Sequence, residues 1–293
     1  MALTAAVSIL GPIIPPSITM IIYALAYPEI NLVGLMLAGV LPGVVIAAAM
    51  AAINHATSVR RNYRGVVQSL TAADYLRNTW RALPALVLPV LILGGIASGA
   101  FTPTEASVVA VFYALAAGRW IYRSLEWRML PAILARSALM TASVLVIVAM
   151  SAAFAWVLTV SRVPQQMTEL IVAANLSPLA FLLAVNVLLL VFGIFIEPLP
   201  GVVVLVPILA PIAHALGIND LQFGLIVIVN LTMGMITPPV GGLLFVTSIV
   251  ARVPLARMVG ELWPFLWAQI GVLALLTLVP ALSTWLPGAM GYR

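Results

Sequence analysis

Two copies of one short motif mark the points where backbone oxygens of this chain could bind a cation. Residues 11–23 align without a gap on residues 234–246, and both copies begin Gly-x-Ile-x-Pro-Pro. Two consecutive prolines remove two amide donors and clash with the preceding turn, so a helix has to break there. The carbonyls exposed at such a break are hard oxygen ligands, and adjacent glycines let them approach an ion closely. The sequence therefore predicts two broken helices that offer carbonyls and amide ends to a ligand.

Glutamates in two other motifs have different interpretations. Glu197 is the only acid that we place inside a long apolar stretch, where a carboxylate is by default an ion ligand, a proton carrier or a gate. The alternative is a carboxylate that accepts backbone amides at a turn. Thr102-Pro103-Thr104-Glu105 has the form of a capping box, with Thr102 as the N-cap and Glu105 at N3, so we assign Glu105 a structural role.

The sequence gives little support for a metal site, a nucleotide-binding site or a catalytic nucleophile. His55 and His214 are not expected to meet and neither has a carboxylate at ligand spacing, so metal binding and acid–base catalysis are not expected. Having no cysteine and no lysine, the chain lacks thiolate ligands and the lysine of an ATP-binding Walker motif. We expect neither enzyme activity nor an organic cofactor.

Composition places these motifs in a membrane protein. Hydrophobic residues make up 64% of the 293 residues and charged residues 7%, whereas a globular chain is about 25% charged. Apolar runs long enough to cross a bilayer recur throughout, and lipid favours helices for such runs because no backbone group may stay unpaired. The sequence predicts an all-α polytopic membrane protein. The net charge of +5 is assigned to topology signals, with no nucleic acid as partner.

The apolar segments can be placed and oriented. They fall at 4–27, 31–54, 84–101, 104–122, 137–160, 177–213, 223–251 and 262–286. The breaks at 55–83, 119–136 and 252–261 hold five, four and two arginines, which makes that side cytoplasmic and the tail 287–293 periplasmic. For all these arginine-bearing breaks to lie in the cytoplasm, segment 177–213 must begin and end on the periplasmic side. It would do so as a re-entrant hairpin or as two short spans. We favour the hairpin, because each arm is short of the ~20 residues that a span needs.

Charge around the two breaks predicts an inverted repeat. An acidic turn follows the first copy and an arginine-bearing turn follows the second, so the copies have opposite orientations. The predicted division is 1–54 as the end of a first repeat, 55–83 as a cytoplasmic linker with an interfacial helix at 64–82, and 84–286 as a second repeat. The first repeat would then lack roughly 130 residues compared with the second. Three explanations are open: a truncated chain, a misassigned start site, or a separate polypeptide that supplies the missing part.

Four motifs in order resemble the large membrane subunit of tripartite ATP-independent periplasmic (TRAP) transporters. They are Gly11–Ser17, Gly99–Ala106, Gly193–Pro198 and Thr237–Gly241. The resemblance implies an elevator-type, sodium-coupled importer of organic acids such as C4-dicarboxylates, sialic acids or keto acids, in the bacterial inner membrane. It also implies two partners, a small four-helix membrane subunit and a periplasmic solute-binding protein.

Similarity to the family also implies site residues. One sodium site would be formed by Gly193, Gly234, Thr237 and Val240, and part of another by Gly11, Ile14 and Pro16. Because no arginine falls in a span centre, the candidates for binding the substrate are small polar, proline and glycine residues of the breaks together with Glu197: Ser17, Thr19, Asn230, Thr232, Pro238, Pro239 and Gly241. Asn230 could equally form an interhelical hydrogen bond. A stand-alone sodium–carboxylate symporter and a non-transporting remnant or piece of a split permease remain alternative functions.

Overall fold

Every regular element that the computed structural model describes is helical. It describes residues 2–62, 71–162, 166–167, 169 and 176–292. Thirteen α-helices lie in these ranges: α1 (Ala2–Ser8), α2 (Leu10–Ile13), α3 (Ile18–Ala26), α4 (Leu32–Arg60), α5 (Ala72–Ala97), α6 (Pro103–Ala116), α7 (Leu130–Val160), α8 (Pro178–Phe195), α9 (Pro198–Ala215), α10 (Asp220–Gly234), α11 (Gly242–Ala251), α12 (Leu255–Leu278) and α13 (Ala281–Ala289). The predicted all-α class is confirmed.

Six of the described helices are long and apolar enough to cross a membrane. They are α4, α5, α7, α8, α9 and α12, and the bent pair formed by Ala2–Ile13 and Ile18–Ala26, whose halves meet at 46°, would be a seventh span. The predicted broken helix 223–251 consists of two shorter apolar helices, α10 with 15 residues and α11 with 10 residues. The chain therefore has the helices of a multi-pass membrane protein.

Helix ends differ from the predicted boundaries at the arginine-rich linker. The fourth helix continues to Arg60 instead of ending at residue 54, and α5 begins at Ala72, well before the predicted start at residue 84. Thr71 starts α5 in a capping box with Asp74. Part of the predicted interfacial helix is thus the first part of α5, and residues 63–70 lie outside the described residues.

The predicted hairpin segment contains two helices of equal length. Both α8 and α9 have 18 residues, and only Ile196 and Glu197 separate them. Each helix starts with a proline in its first turn, where the missing amide has no helical partner to lose. A helix of 18 residues spans about 27 Å, close to the hydrocarbon thickness, so length does not select the hairpin over two short spans.

The residue contacts group the chain into two units. The larger unit, Met1–Val59 with Leu145–Arg293, is organised around α10, in which all residues from Leu221 to Gly234 are buried. A helix buried on every side must be apolar on every side, and α10 is, apart from Gln222, Asn230 and Thr232. This grouping differs from the division by repeat, because it joins the first broken helix to the second half.

The smaller unit, Arg60–Val144, has α5 and α6 as its main pair. The capping box of α6 is confirmed, since the amide of Thr102 donates to Glu105 Oε2 at 2.8 Å and the amide of Glu105 donates to Thr102 Oγ1 at 3.3 Å. Tyr113 Oη donates to the carbonyl of Pro84 at 2.7 Å, and this bond ties the two helices together.

Candidate functional site

Both Pro-Pro pairs interrupt a helix in the structure. The first break lies between α2, which ends at Ile13, and α3, which begins at Ile18. The second lies between α10, which ends at Gly234, and α11, which begins at Gly242. The Pro15–Pro16 and Pro238–Pro239 bonds are both cis.

A serine side chain bridges the first break. Ser17 Oγ donates to the carbonyl of Pro12 at 2.5 Å and accepts from the amide of Met20 at 3.3 Å. Ser17 is therefore the N-cap of α3 and at the same time satisfies a carbonyl of α2. With an exposed fraction of 1%, it has its donor and one acceptor position occupied within the break itself.

Backbone groups organise the second break. The amide of Thr237 donates to the carbonyl of Gly234 at 3.0 Å, and the hydroxyl of Thr237 donates to the carbonyl of Met233 at 2.8 Å. Gly241 has φ +37°, and a Cβ there would lie 3.0 Å from the carbonyl oxygens of both Met235 and Thr237. The left-handed glycine therefore lets two carbonyl oxygens approach one backbone position closely, and the carbonyl of Met235 also accepts from the amide of Leu243 at 3.1 Å.

Two glycines bring the first arm of the hairpin segment into backbone contact with the second break. A Cβ added to Gly193 of α8 would lie 3.0 Å from the carbonyl oxygen of Leu231 and 3.2 Å from Cα of Gly234. A Cβ on Gly234 would overlap the backbone of Gly193. The structure thus brings together three of the four residues assigned to one sodium site, Gly193, Gly234 and Thr237. Val240 lies at the outer edge of the break, with an exposed fraction of 38%.

A cavity of about 340 Å³ joins the first break to the turn between α8 and α9. Its lining comes from three parts of the larger unit: Gly11, Pro12, Pro16, Ile18 and Thr19 of the first break, Glu197, Pro198 and Leu199 of the turn, and Met235 of the second break. Two helices, α3 and α9, begin at this cavity. Among the described residues that line it, Glu197 is the one charged side chain.

Glu197 lies at the edge of this cavity. It is exposed on the protein surface, at the residue preceding α9, and its side chain makes no capping hydrogen bond to the described amides of that helix. Its carboxylate therefore borders the cavity without the amide partners that the alternative interpretation required. This position keeps Glu197 available as a cavity group.

The other candidate residues are distributed over the breaks and the core. Ile14 packs against α4, because a Cβ on Gly43 would lie 2.5 Å from Ile14 Cγ1. Pro238 is half-buried and Pro239 exposed within the second break. Thr232 is buried in α10, and its hydroxyl donates to the carbonyl of Ile228 at 2.5 Å.

Asn230 lies inside the core, away from the cavity lining. Its exposed fraction is 0%, and its Nδ2 donates to Asn186 Oδ1 at 2.6 Å and to the carbonyl of Ile226 at 2.7 Å. This geometry is the interhelical hydrogen bond that the sequence left open for Asn230. Its partner Asn186 was missed, although a lone amide in the apolar run 178–195 is the signal that could have found it.

The expectation for His214 was wrong in one respect. His214 Nδ1 lies 3.1 Å from Asp220 Oδ2, so a carboxylate is within hydrogen-bonding distance after all. The two residues flank the short turn between α9 and α10, where chain reversal brings them together. Among the described residues, no group of three or more histidine, cysteine, aspartate or glutamate side chains could hold a metal ion.

Comparisons with known proteins identify related chains. Residues 1–282 match the family model described as the DctM component of the tripartite ATP-independent periplasmic transporter. A putative dicarboxylate transporter subunit of Paracoccus pantotrophus is 56% identical over 203 residues, which are 69% of this chain and 97% of that protein.

Two longer relatives carry more specific names. The C4-dicarboxylate TRAP transporter large permease protein DctM of Pseudomonas aeruginosa is 39% identical over 96% of this chain and 66% of its own length. The sialic acid TRAP transporter large permease protein SiaM of Vibrio cholerae is 35% identical over 97% of this chain and 66% of its own length. The chain therefore spans slightly less than two thirds of these permeases.

Proposed function

Since the chain belongs to the family of TRAP transporter large permeases, we propose that it acts in a sodium-coupled importer of organic acids. The proposed partners are a periplasmic solute-binding protein, which delivers the acid, and a small four-helix membrane subunit. The proposed location is the bacterial inner membrane, with the arginine-rich breaks in the cytoplasm and the C-terminus in the periplasm. In the proposed elevator motion, the two helix breaks and the hairpin segment carry the ligands.

The observation that carries this proposal is the cavity shared by the first break and the α8–α9 turn. Helices α3 and α9 both begin there, so the positive ends of two helix dipoles border one volume of about 340 Å³. The amides of Ile18, Thr19 and Leu199 belong to first turns and have no intrahelical acceptor. Amides and dipole ends of this kind bind carboxylates without an arginine.

Charge balance supports coupling to a cation. Each helix N-terminus contributes roughly half an elementary charge, so the two together offset about one negative charge. Glu197 already supplies one carboxylate at the cavity. The charge of Glu197 therefore balances the two helix N-termini. A bound cation would supply the positive charge that a substrate carboxylate needs. The carbonyl oxygens of the second break and the adjoining glycine contact provide a place for Na⁺.

The substrate class follows from the relatives and the cavity. The relatives' names specify dicarboxylate, C4-dicarboxylate and sialic acid, all of which carry at least one carboxylate. The cavity volume of about 340 Å³ lies at the lower end of the range for small-molecule sites. We propose a small organic acid of this class, with keto acids included.

Uptake into proteoliposomes tests the proposal. The purified chain is reconstituted with its small membrane subunit and binding protein, and uptake of radiolabelled succinate, sialic acid and pyruvate is measured in NaCl and in choline chloride. We expect uptake of at least one acid to require Na⁺. Thr237→Ala should raise the Na⁺ concentration for half-maximal uptake, and Glu197→Gln should weaken the Na⁺ requirement because it removes the competing charge.

The same experiment discriminates among the alternatives. Na⁺-dependent uptake without the binding protein would favour a stand-alone symporter. Uptake that is equal in NaCl and choline chloride would refute sodium coupling. Absence of uptake in the complete system, with the proteins correctly inserted, would refute active transport by this chain and leave the remnant or split-permease hypothesis.

A further inference from the structure

A chain of buried hydrogen bonds links three helices of the larger unit. Thr277 of α12 donates its hydroxyl proton to the carbonyl of Leu273 at 2.8 Å and accepts from Asn186 Nδ2 of α8 at 2.9 Å. Asn186 Oδ1 in turn accepts from Asn230 Nδ2 of α10 at 2.6 Å. All three side chains are buried, with exposed fractions of 8%, 0% and 4% for Asn186, Asn230 and Thr277. We call these three side chains the amide chain.

The direction of every bond in the amide chain is fixed by chemistry. Both partners of Asn230 Nδ2, Asn186 Oδ1 and the carbonyl of Ile226, are acceptors, so the amide of Asn230 cannot be flipped without placing oxygen against oxygen. Asn186 must then present its nitrogen to Thr277, whose own proton is directed to a backbone carbonyl. Each member therefore has one orientation, and the helices that carry them have one mutual register.

The amide chain lies beside the contact that builds the proposed sodium site. Helix α8 contacts α10 at three successive levels: the rings of Phe181 and Phe223 stack at 6.2 Å, Asn186 bonds Asn230, and Gly193 meets Gly234. Asn230 lies about one helical turn before Gly234. The aromatic and glycine levels are shape contacts, whereas the middle level is directional. Of these three contacts, the bond between Asn186 and Asn230 is the one with a defined direction.

The amide chain is a poor device for stability alone. Asn230 Oδ1 is fully buried and has no hydrogen-bond partner among the described residues. Apolar side chains of similar volume would fill this core without an unsatisfied acceptor. A polar chain with a defined orientation is better suited to specifying register than to adding stability.

We propose that Asn186, Asn230 and Thr277 are positioning residues for the sodium site, holding α8 and α10 so that Gly193 and Gly234 stay in backbone contact. The proposal rests on the proposed function, because it assumes a sodium site at the second break. Thr277 and Asn186 act through Asn230 and do not contact the ion. Loss of one hydrogen bond at Thr277 should therefore weaken Na⁺ binding from a position outside the site.

Equilibrium binding of radiolabelled Na⁺ to the purified protein tests the proposal. Thr277→Val keeps the shape of the side chain and removes the acceptor for Asn186. We expect it to raise the dissociation constant for Na⁺ about three- to tenfold, the range expected when a buried hydrogen bond is lost. Thr277→Ser, which keeps the hydroxyl, should restore binding to within about twofold of the wild type. Asn186→Ser is the second variant, with the same expectation as Thr277→Val should that protein not fold.

Gln269 provides a matched control. It is another buried amide of α12, with an exposed fraction of 0%, and its Nε2 donates to the carbonyl of Ala6 in α1 at 2.9 Å. Helix α1 contributes no residue to the amide chain or to the glycine contact, so loss of this bond leaves the bonds of both in place. Gln269→Met should lower the melting temperature in choline chloride while leaving the Na⁺ dissociation constant unchanged.

The outcomes separate the positioning role from the function it rests on. If wild-type protein binds Na⁺ and Thr277→Val binds it with unchanged affinity, the positioning role is refuted and the sodium site stands. If Thr277→Val and Gln269→Met weaken Na⁺ binding equally, the effect is general destabilisation and the positioning role is again refuted. If wild-type protein binds no Na⁺, both the positioning role and sodium coupling are refuted.

Discussion

The contact between Gly193 and Gly234 predicts that one added methyl group will disrupt the second break. In Gly234→Ala the new Cβ would lie 2.5 Å from Gly193 Cα and 2.5 Å from its carbonyl oxygen. Both are backbone atoms of α8, so no side-chain rotation can relieve the overlap. Carbon atoms pack at about 3.5–4.0 Å, so α8 and α10 would have to separate by roughly 1 Å.

The expected loss of unfolding free energy in Gly234→Ala has two parts. Overpacking a filled site costs about 1–3 kcal/mol of unfolding free energy, and the greater helix propensity of alanine returns at most about 1 kcal/mol. Displacing the Gly193 backbone from the second break also weakens the proposed sodium site. A tenfold loss of affinity removes about 1.4 kcal/mol of the stabilisation that saturating Na⁺ provides by linkage. The total loss in Na⁺ therefore exceeds the loss in its absence.

Thermal unfolding of the purified protein in equal concentrations of NaCl and choline chloride measures both parts. We expect Gly234→Ala to unfold at a lower temperature than the wild type in choline chloride, and to gain less stability on transfer to NaCl. Gly271→Ala is the control, because it makes the same change inside α12 where a Cβ meets nothing within 4 Å. It should be neutral or stabilising. Identical behaviour of the two variants in both salts would refute the interpretation of the glycine contact.

Two further predictions concern helix starts in the larger unit. Ser17→Ala removes both bonds that bridge the first break and should reduce the free energy of unfolding by about 1–2 kcal/mol. Ser17→Thr keeps the hydroxyl and should retain most of the wild-type stability. Equal melting temperatures for the two variants would contradict the bridging role. The side chain of Asn219 caps α10 by accepting from the amides of Leu221 and Gln222, so Asn219→Ala should lower the free energy of unfolding by about 1 kcal/mol in the same assay. Asn219→Asp keeps the acceptor and should change the free energy of unfolding by only about a few tenths of a kcal/mol. A loss in Asn219→Asp as large as that in Asn219→Ala would show that the cap is not the cause.

Features set by covalent geometry were predictable from the sequence. A Pro-Pro pair in a helix interior removes two amide donors and clashes with the preceding turn, so both breaks appear at the residues where the motif places them. The capping box at Thr102 depends on residues three apart and was predicted for the same reason. Local chemistry of this kind does not require knowledge of the fold.

Features set by contacts between distant segments were not predictable. Nothing in the apolar run of α10 marks it as the central helix of the larger unit, yet every residue from Leu221 to Gly234 is buried. The polar character of Asn186 was visible, but its partners Asn230 and Thr277 were not, because the sequence does not say which helices adjoin. The exposure of Glu197 was not predictable for the same reason, since an apolar neighbourhood in sequence does not say whether a side chain is buried within the protein.

The two breaks show that a repeated motif fixes where a helix stops and leaves the ligand chemistry to packing. The alignment pairs Ser17 with Val240 and Gly11 with Gly234. In the first break the serine hydroxyl closes the gap, and a Cβ on Gly11 would meet nothing within 4 Å among the described residues. In the second break no hydroxyl is available at Val240, so a left-handed glycine closes the gap with backbone groups, and Gly234 is pressed against α8. Under the proposed function, the crowded backbone of the second break binds the cation, and the cavity at the first break, which is bordered by helix N-termini, binds the carboxylate. One motif, placed against two different neighbours, therefore has two different local structures.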